Sequence, residues 1–441
     1  MKRKLFAQLK IWKESLQKKP LILNGAKGTG KTYLALTLAK DFYKRYIYIN
    51  YELQADKDKL AACFERFQLT GIISELTAIE GSTEEGNENG LFIVDDMTCM
   101  EELDNIIHKI NKLYPCWDIL IVSGYVTDFR SVPYLTNKYT TLKLHPMDFD
   151  EFLSAAGQEW YVEMINESVN KNSSLPFIFH EDLMNLFETY LIVGGLPAAV
   201  NEYINNGNTE NITQIHRDIL YSYFYETDIK EENCALKVRQ MLYTLPLQLS
   251  KRNKKFQFNQ IRKGATENQY KDSLTFIKNS FCGMICPRLT DDTISRTDTE
   301  EANYNFNAFK LYLFDIGLYH SLSKITGCDQ KEGFREGLIE SYIAQVLTGA
   351  DIPFGYWESA SGSHSLFLLR ASFKSNYPIL PLEIRTKIQK RSKLLGSLKE
   401  KQPKIDQMLI TTDEYSNEEV SRDIIPLYGV KNIIDNLILF R

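Results

Sequence analysis

The sequence predicts a multidomain α/β protein that begins with a doubly wound parallel sheet. Its 441 residues suffice for about two to four domains at roughly 100–200 residues each. The first third of the chain alternates short apolar strands with helical patterns, which is typical of parallel βαβ units. Apolar residues make up 44 % and charged residues 25 %, so a disordered, collagen-like or disulfide-stapled chain is excluded.

The first predicted element is an amphipathic helix. Leu5, Leu9, Trp12 and Leu16 recur at helical spacing, so we expect them to pack the helix on the first domain. Binding to a membrane surface is the alternative, which the narrow apolar stripe disfavours. We expect no membrane association, because no apolar run reaches the roughly 18–20 residues that cross a bilayer. The basic N-terminus also lacks the pattern of a signal peptide.

A glycine-rich loop follows the first predicted strand, residues 20–24. Residues 25–32 fit the pattern G-x-x-x-x-G-K-[ST] and lead into a helix, which is the context this pattern requires. The backbone N–H groups of such a loop cradle phosphates, Lys31 can reach the β- and γ-phosphates, and the Thr32 hydroxyl can bind Mg²⁺. A glycine-rich turn without a ligand is the alternative. The predicted nucleotide-binding residues here are Gly25, Ala26, Lys27, Gly28, Thr29, Gly30, Lys31, Thr32 and Tyr33.

Two carboxylates end a later apolar strand, at residues 91–96. In this Walker B form, Asp95 would hold Mg²⁺ through water and Asp96 would orient or deprotonate the attacking water. A strand that ends in a solvated acidic turn is the alternative. Many ATPases carry Glu at the second position. The shorter side chain of Asp96 displaces the carboxylate, so we expect slow hydrolysis.

Ser123 ends the next predicted strand, residues 119–123, and is the third candidate catalytic residue with Lys31 and Asp96. A small polar residue at this place can contact the γ-phosphate or the water. The alternative is a plain strand-ending Ser-Gly turn.

The segment after the last predicted strand, residues 140–144, carries a short motif formed by Leu144, Pro146, Phe149, Glu151, Phe152 and Leu153. With the P-loop, this motif resembles prokaryotic AAA-like ATPases, related to archaeal and STAND ATPases. The C-terminal half of those proteins is a domain of unknown function with a restriction-endonuclease-like core.

The resemblance implies ATP as the ligand, although no base-reading motif separates ATP from GTP. It also implies that the turn at residues 194–197 lies near the base, which adds Gly195 and Pro197 to the predicted nucleotide site. A helix C-cap followed by a stop is the alternative. Two departures from the family, Asn137-Lys138 for Gly-Arg and Gly124-Tyr125 for Gly-Ser, leave the arginine finger unplaced. The candidates for that finger are Arg130 and Arg217, and a surface arginine is the alternative for each.

Four domains are predicted along the chain. Residues 1–154 form the ATPase domain, 155–235 a helical lid, 236–300 a winged-helix-like segment and 301–441 the restriction-endonuclease-like domain. The winged helix and the nuclease-like core are implied by the resemblance. The basic loop at residues 251–255 could neutralise DNA phosphates, and a solvated loop or a protein contact is the alternative.

The nuclease-like core has lost part of its predicted metal site. Residues 309–319 match the signature that opens the family's C-terminal domain, and Glu340 and Glu383 occupy two acidic positions. Leu366 stands where the central Asp belongs, and Arg385 replaces the Lys. Two carboxylates alone hold Mg²⁺ poorly, so we expect no nuclease activity.

A basic segment at residues 387–404 could also contact nucleic acid. We favour an amphipathic helix that buries Leu394, Leu395 and Leu398, because charge runs are usually solvated.

Cysteine usage and net charge limit the remaining possibilities. The seven cysteines are scattered, and Cys282 and Cys286 lack partners at zinc spacing, so we expect buried thiols in a reducing, cytoplasmic compartment. The net charge of −5 excludes a strongly cationic chain but leaves local basic patches possible.

The leading hypothesis is an ATPase that couples nucleotide state to the nuclease-like domain and to a partner protein. The alternatives are a nucleotide switch with negligible hydrolysis, and a DNA-binding factor that acts through the winged helix and the basic C-terminal helix.

Overall fold

The computed structural model divides the chain into two units. The first unit comprises Met1–His145 with Asn279–Phe281, and the second comprises Pro146–Lys278 with Cys282–Arg441. The structure describes residues 1–16, 18–58, 60, 90–97, 100–125, 138–171, 173–207, 209–224, 232–291, 294, 308–359, 365–370, 379–385, 393–405, 408–415 and 424–437.

A five-stranded parallel sheet forms the centre of the first unit. Its strand order is β2-β3-β4-β1-β5, and every neighbouring pair is parallel, as the alternation of apolar strands and helices predicts. Because β4 lies between β1 and β3, the carboxyl ends of these three strands form one continuous edge. The strands are β1 (Leu21–Asn24), β2 (Tyr46–Asn50), β3 (Leu91–Asp95), β4 (Asp118–Ser123) and β5 (Thr140–Lys143).

Helices cover both faces of this sheet and bury an apolar core on each. They are α1 (Leu5–Glu14), α2 (Lys31–Phe42) and α3 (Met100–Leu113).

The N-terminal helix α1 packs on the first unit through Leu9 and Trp12, which are buried. The prediction of a packed helix is therefore confirmed for these two residues. It is wrong for Leu16, because the chain turns to an extended conformation at Ser15 and leaves Leu16 fully exposed.

The second unit begins with helices and a two-stranded antiparallel hairpin. The described residues between 159 and 224 are mainly helical, and the assignment of 155–235 as a lid stays a prediction. The helices are α4 (Phe149–Ala155), α5 (Glu159–Lys171), α6 (Phe177–Val193), α7 (Pro197–Asn206), α8 (Thr209–Phe224), α9 (Glu232–Leu249) and α10 (Glu267–Asn279). The hairpin strands are β6 (Gly283–Pro287) and β7 (Phe309–Leu313).

A second five-stranded sheet follows, in the order β12-β11-β10-β9-β8. The pairs β8–β9 and β9–β10 are antiparallel, whereas β10–β11 and β11–β12 are parallel. From α12 to β11 the chain runs helix, three strands, helix and strand, and β12 then adds the fifth strand of the sheet. The elements are α11 (Ile316–Ile325), α12 (Phe334–Gly349), β8 (Phe354–Glu358), β9 (Ser365–Arg370), β10 (Ile379–Arg385), α13 (Lys393–Lys401), β11 (Leu409–Thr412), β12 (Ile424–Pro426) and α14 (Val430–Leu437).

The basic C-terminal helix, α13, is amphipathic as expected. Leu398 is fully buried, whereas Leu394 and Leu395 are half-buried and Lys399 is exposed. Part of the predicted basic segment, residues 386–392, lies outside the described residues, as do Arg130, Asn137, Cys63 and Cys99.

The described cysteines are free thiols, and Cys282, Cys286 and Cys328 are buried as predicted. Cys116 departs from that expectation because it is exposed. None of the described helices is both long and apolar enough to cross a membrane.

Candidate functional site

The glycine-rich loop curls around the amino end of α2. Gly28 and Gly30 have φ angles of 79° and 92°, which L side chains rarely adopt, so glycine is needed there. The Thr29 hydroxyl donates to the carbonyl of Ala26 at 2.8 Å, and the Lys31 Nζ donates to the same carbonyl at 2.9 Å. The loop is therefore closed on itself, with the Lys31 ammonium held inside it.

The two carboxylates predicted from the sequence lie at the neighbouring strand end. Asp95 is 1 % exposed, and the Tyr48 hydroxyl donates to its Oδ2 at 2.8 Å. The Asn50 Nδ2 donates to Asp96 Oδ2 at 3.2 Å. Asp96 has a φ of 53°, a left-handed conformation that clusters at functional sites.

Tyr48 and Asn50 were not among the residues predicted for the site. They lie two positions apart on β2 and therefore point to the same face of the strand. Asn50 pairs in register with Asp95. The alternation of polar side chains toward the end of a strand was visible in the sequence, but the adjacency of β2 and β3 was not.

Electrostatics connect the loop with the carboxylates. Burial raises the pKa of Asp96, and the neighbouring Asp95 carboxylate raises it further, whereas the ammonium groups of Lys31 and Lys27 lower it. Burial also raises the pKa of the Tyr48 hydroxyl, which therefore stays protonated and donates to Asp95. The structure thus brings the predicted lysines and both carboxylates into one electrostatic site.

Ser123 is buried at the end of β4, between the strands that carry the loop and the carboxylates. Its hydroxyl donates to the carbonyl of Met97 at 2.6 Å and accepts from the Tyr125 N–H at 3.1 Å. Ser123 therefore holds the backbone that follows Asp96. Its contact with a γ-phosphate stays a prediction.

The residues present fit a magnesium-bound nucleotide. The Thr32 hydroxyl and the Asp95 carboxylate are hard oxygen donors, which Mg²⁺ prefers. Asn24 is 4 % exposed at the end of β1, and its Oδ1 has no hydrogen-bond partner among the residues that the structure describes. Such a buried acceptor beside the loop suits a site that gains a ligand or ordered water. Tyr33, the last residue of the predicted set, is 62 % exposed on α2.

Comparison with known proteins agrees with this geometry. Residues 17–153 match the protein family described as AAA domain. This part of the chain is an AAA domain. The chain therefore contains a nucleotide-binding P-loop ATPase domain, which the sequence pattern predicts.

Other comparisons are less informative. Residues 184–329 match a family described as a domain of unknown function, DUF8612. A solved structure, that of Drosophila ORC bound to DNA, is 12 % identical, covers 73 % of this chain and 95 % of its own, and gives a TM-score of 0.25. No curated protein matches the chain.

Outside the AAA domain, the turn at residues 194–197 joins three parts of the second unit. The Gly195 N–H donates to Asp315 Oδ2 at 2.7 Å, and its carbonyl accepts from the Met147 N–H at 2.7 Å. A Cβ atom at Gly195 would lie 2.1 Å from the Met147 carbonyl oxygen, so only glycine fits. Pro197 is the first residue of α7. Both residues thus act as a helix-to-helix turn, and their contact with a nucleotide stays a prediction.

The motif after the AAA domain's last strand contributes to the same junction. Asp148 and Glu151 form a capping box at the start of α4, which explains the acidic residue of the motif. Phe149 packs edge-on against Phe187, and the Tyr190 hydroxyl donates to the Met147 carbonyl at 2.7 Å. This motif therefore caps α4 and packs it against α6 in the second unit.

Asp315 gives this junction a dependence on pH. Burial raises the pKa of Asp315 from 3.8 to about 6, although N–H groups of Gly195, Leu318 and Gly317 oppose the rise. The folded-state value lies above the unfolded one. The carboxyl's contribution to stability is therefore full below pH 3.8 and is lost as pH rises through about 6.

We expect the free energy of unfolding of the wild type, relative to Asp315→Asn, to fall by on the order of 2–3 kcal/mol between about pH 4 and pH 7. Urea unfolding of both proteins over this pH range measures the difference. A difference that stays constant with pH would contradict the assignment to Asp315.

Glu340 of the nuclease-like core lies in a cationic cluster. Its Oε2 is 2.8 Å from the Lys310 Nζ and accepts from the Tyr312 hydroxyl at 3.0 Å. Its Oε1 is 3.2 Å from the Lys254 Nζ. Burial raises the pKa of Glu340, but Lys310 and Lys254 outweigh it and hold the pKa at about 2. Among the described residues, no group of three or more His, Cys, Asp or Glu side chains could hold a metal ion.

This arrangement corrects the prediction for one residue of the basic loop. The side chain of Lys254 is 11 % exposed and paired with Glu340, so it does not project toward DNA or solvent. Its neighbours Arg252 and Asn253 are exposed. The pairing has a physical reason, because the buried Glu340 carboxylate would be strongly destabilising without cationic partners.

The other positions of the nuclease-like core are apolar or paired. Leu366 is fully buried in the core beside the second sheet. The Arg385 Nη2 donates to Glu383 Oε2 at 2.7 Å, within the same strand. Each acidic position therefore has a cationic partner in this structure.

Proposed function

We propose that this protein is a slow, Mg²⁺-dependent ATPase of the AAA/STAND-like type, which couples its nucleotide state to the second unit. The observation that carries the proposal is the meeting of the P-loop, Lys31 and the Asp95–Asp96 pair at one edge of the sheet. The AAA domain supports ATP as the nucleotide.

The proposed roles follow from the donors and acceptors at this edge. Backbone N–H groups of residues 25–32 and the Lys31 ammonium bind the phosphates. Thr32 and Asp95 hold Mg²⁺, which when bound neutralises charge on the phosphate oxygens. The Tyr48 hydroxyl donates to one Asp95 oxygen and the Asp96 N–H donates to the other, so both hydrogen bonds orient the carboxylate that would hold metal-bound water.

Asp96 is the residue that we propose to act on the attacking water. Its raised pKa brings the carboxylate closer to the operating pH of a general base. Asn50 orients it by a hydrogen bond to one oxygen. The short side chain places the carboxylate further from the phosphates than a Glu would, so we propose slow turnover.

Steady-state phosphate release tests this function. We expect wild-type turnover below the ordinary value of about 10 per second, and a loss of roughly 10²–10⁴-fold in Asp96→Asn with retained ATP binding. The Asp96→Asn amide keeps the size of the side chain and cannot accept the proton. Turnover of Asp96→Asn equal to that of the wild type would overturn the role of Asp96.

The same assay separates the alternatives. Nucleotide binding without phosphate release above the background of heat-treated protein would replace the ATPase with a nucleotide switch. Adding duplex DNA to the assay tests the DNA-binding factor. Arg252 of the basic loop and Lys399 of the basic helix α13 are among the exposed cations that could contact it. Release that rises with DNA at low salt and falls with added salt would support that partner.

For the second unit we propose a helical lid, a winged-helix-like segment and a nuclease-like domain without nuclease activity. The helices α9 and α10 and the strand β6, which pairs antiparallel with β7 beyond residue 300, support the winged-helix segment, because a winged helix combines helices with paired strands. The pairing of Glu340 with Lys310 and Lys254 supports inactivity, since ammonium groups occupy the oxygens that a cation would need.

A further inference from the structure

Arg3 connects three segments of the first unit that are far apart in the sequence. Its Nη1 donates to the Thr29 carbonyl at 2.8 Å, and its Nη2 donates to the His145 carbonyl at 2.6 Å. Thr29 lies in the P-loop and is fully buried. His145 follows β5 and is the residue at which the chain leaves the first unit. One guanidinium therefore joins the N-terminal segment, the P-loop and this exit segment.

The direction of the Thr29 peptide matters for a phosphate cradle. Successive N–H groups must point inward to bind an anion, so the carbonyls of the same loop point outward. An outward carbonyl that is buried needs a donor. Arg3 supplies this donor, and its planar fork fixes two acceptors at once, which a lysine cannot do.

The exit segment also touches the start of the loop. The Leu144 N–H donates to the Asn24 carbonyl at 2.7 Å. A Cβ atom at Gly25 would lie 2.2 Å from the Leu144 carbonyl oxygen. The start of the P-loop is thus in direct contact with this segment, and Arg3 holds the middle of the loop to the same segment.

We propose that Arg3 is a positioning residue that keeps the P-loop in its phosphate-binding conformation and links nucleotide occupancy to the segment at His145. This inference rests on the proposed nucleotide binding. Arg3 contacts backbone carbonyls and no reacting group. It therefore acts on nucleotide affinity equally for ATP and ADP, and leaves the chemical step unchanged.

The test compares Arg3→Ala, Arg3→Lys and the control Lys19→Ala, which removes an exposed charge from the same N-terminal region. We expect Arg3→Ala to raise the Kd for both ATP and ADP about tenfold while kcat at saturation stays within about twofold, the pattern of lost uniform binding. Arg3→Lys should recover part of the affinity, and Lys19→Ala should match the wild type. Titration with a fluorescent nucleotide and steady-state kinetics measure these quantities.

Guanidinium chloride at a non-denaturing concentration distinguishes positioning from general destabilisation. We expect it to restore nucleotide affinity to Arg3→Ala and to leave Lys31→Ala unchanged, because only the former lacks a guanidinium.

Wild-type affinity in Arg3→Ala, or no recovery with guanidinium, would overturn the inference. The proposed function would stand in that case if the wild type binds ATP and Lys31→Ala does not. Failure of the wild type to bind ATP would overturn both.

Discussion

Lys31→Ala is expected to lower kcat/KM for ATP hydrolysis by at least roughly 10²–10³-fold, the usual cost of removing a preorganised charge partner of a developing anion. The Lys31 side chain is 7 % exposed, and its ammonium group is already directed into the loop by the Ala26 carbonyl. Its charge therefore acts in a partly desolvated site. Phosphate release and titration with a fluorescent nucleotide measure the loss.

Lys40→Ala is the matched control for this substitution. Lys40 is an exposed lysine on the same helix, so its removal changes the charge of α2 and spares the loop. We expect its kinetics to stay within about twofold of the wild type, and thermal unfolding of both variants checks the fold. A Lys31→Ala protein that hydrolyses ATP as fast as Lys40→Ala would refute the assignment of the P-loop.

Glu340→Ala is expected to destabilise the second unit by about 3–5 kcal/mol, the range for a buried ion pair that loses one partner. The substitution leaves the ammonium group of Lys310, which is 4 % exposed, without its carboxylate. Glu340→Gln should cost less, because the amide oxygen still accepts hydrogen bonds from Lys310 and Tyr312. Urea unfolding followed by tryptophan fluorescence measures the change.

Two observations complete this test. Glu167→Ala breaks an exposed pair with Lys171 and is expected to leave the unfolding midpoint unchanged. The pKa of Glu340 is lowered in the folded state, so its contribution is present above pH 4.5 and is lost as pH falls through about 2. Equal midpoints for Glu340→Ala and the wild type at neutral pH would contradict the proposed cluster.

Local patterns made the first unit predictable. The P-loop is a contiguous motif whose glycines and lysine act within a few residues of each other. The Asp95–Asp96 pair ends an apolar run, so a single strand places both carboxylates at the sheet edge. The predicted and observed boundaries of its strands agree closely for the same reason, because an apolar strand or a helical pattern can be recognised within a few consecutive residues.

The remaining contacts were beyond local patterns because they join distant segments. Arg3 meets Thr29 and His145, and Lys254 meets Glu340. Nothing near Lys254 in the sequence distinguishes it from its solvated neighbours. Lys254 differs from them only because it pairs with the buried Glu340, and this burial arises only in the folded second unit. Tyr48 and Asn50 of β2 were missed for the same reason, because they contact Asp95 and Asp96 only once β2 and β3 are neighbours in the sheet.

The Gly195–Asp315 junction determines how this protein can be divided for experiments. A fragment that begins after residue 195 would keep the buried Asp315 carboxylate and lose the Gly195 N–H that binds it. A fragment that ends at residue 235 or 300 would keep the turn at Gly195 and lose the Asp315 carboxylate that accepts the Gly195 N–H. Fragments cut at these points are therefore expected to be less stable than the whole second unit, because each one loses a partner of this junction.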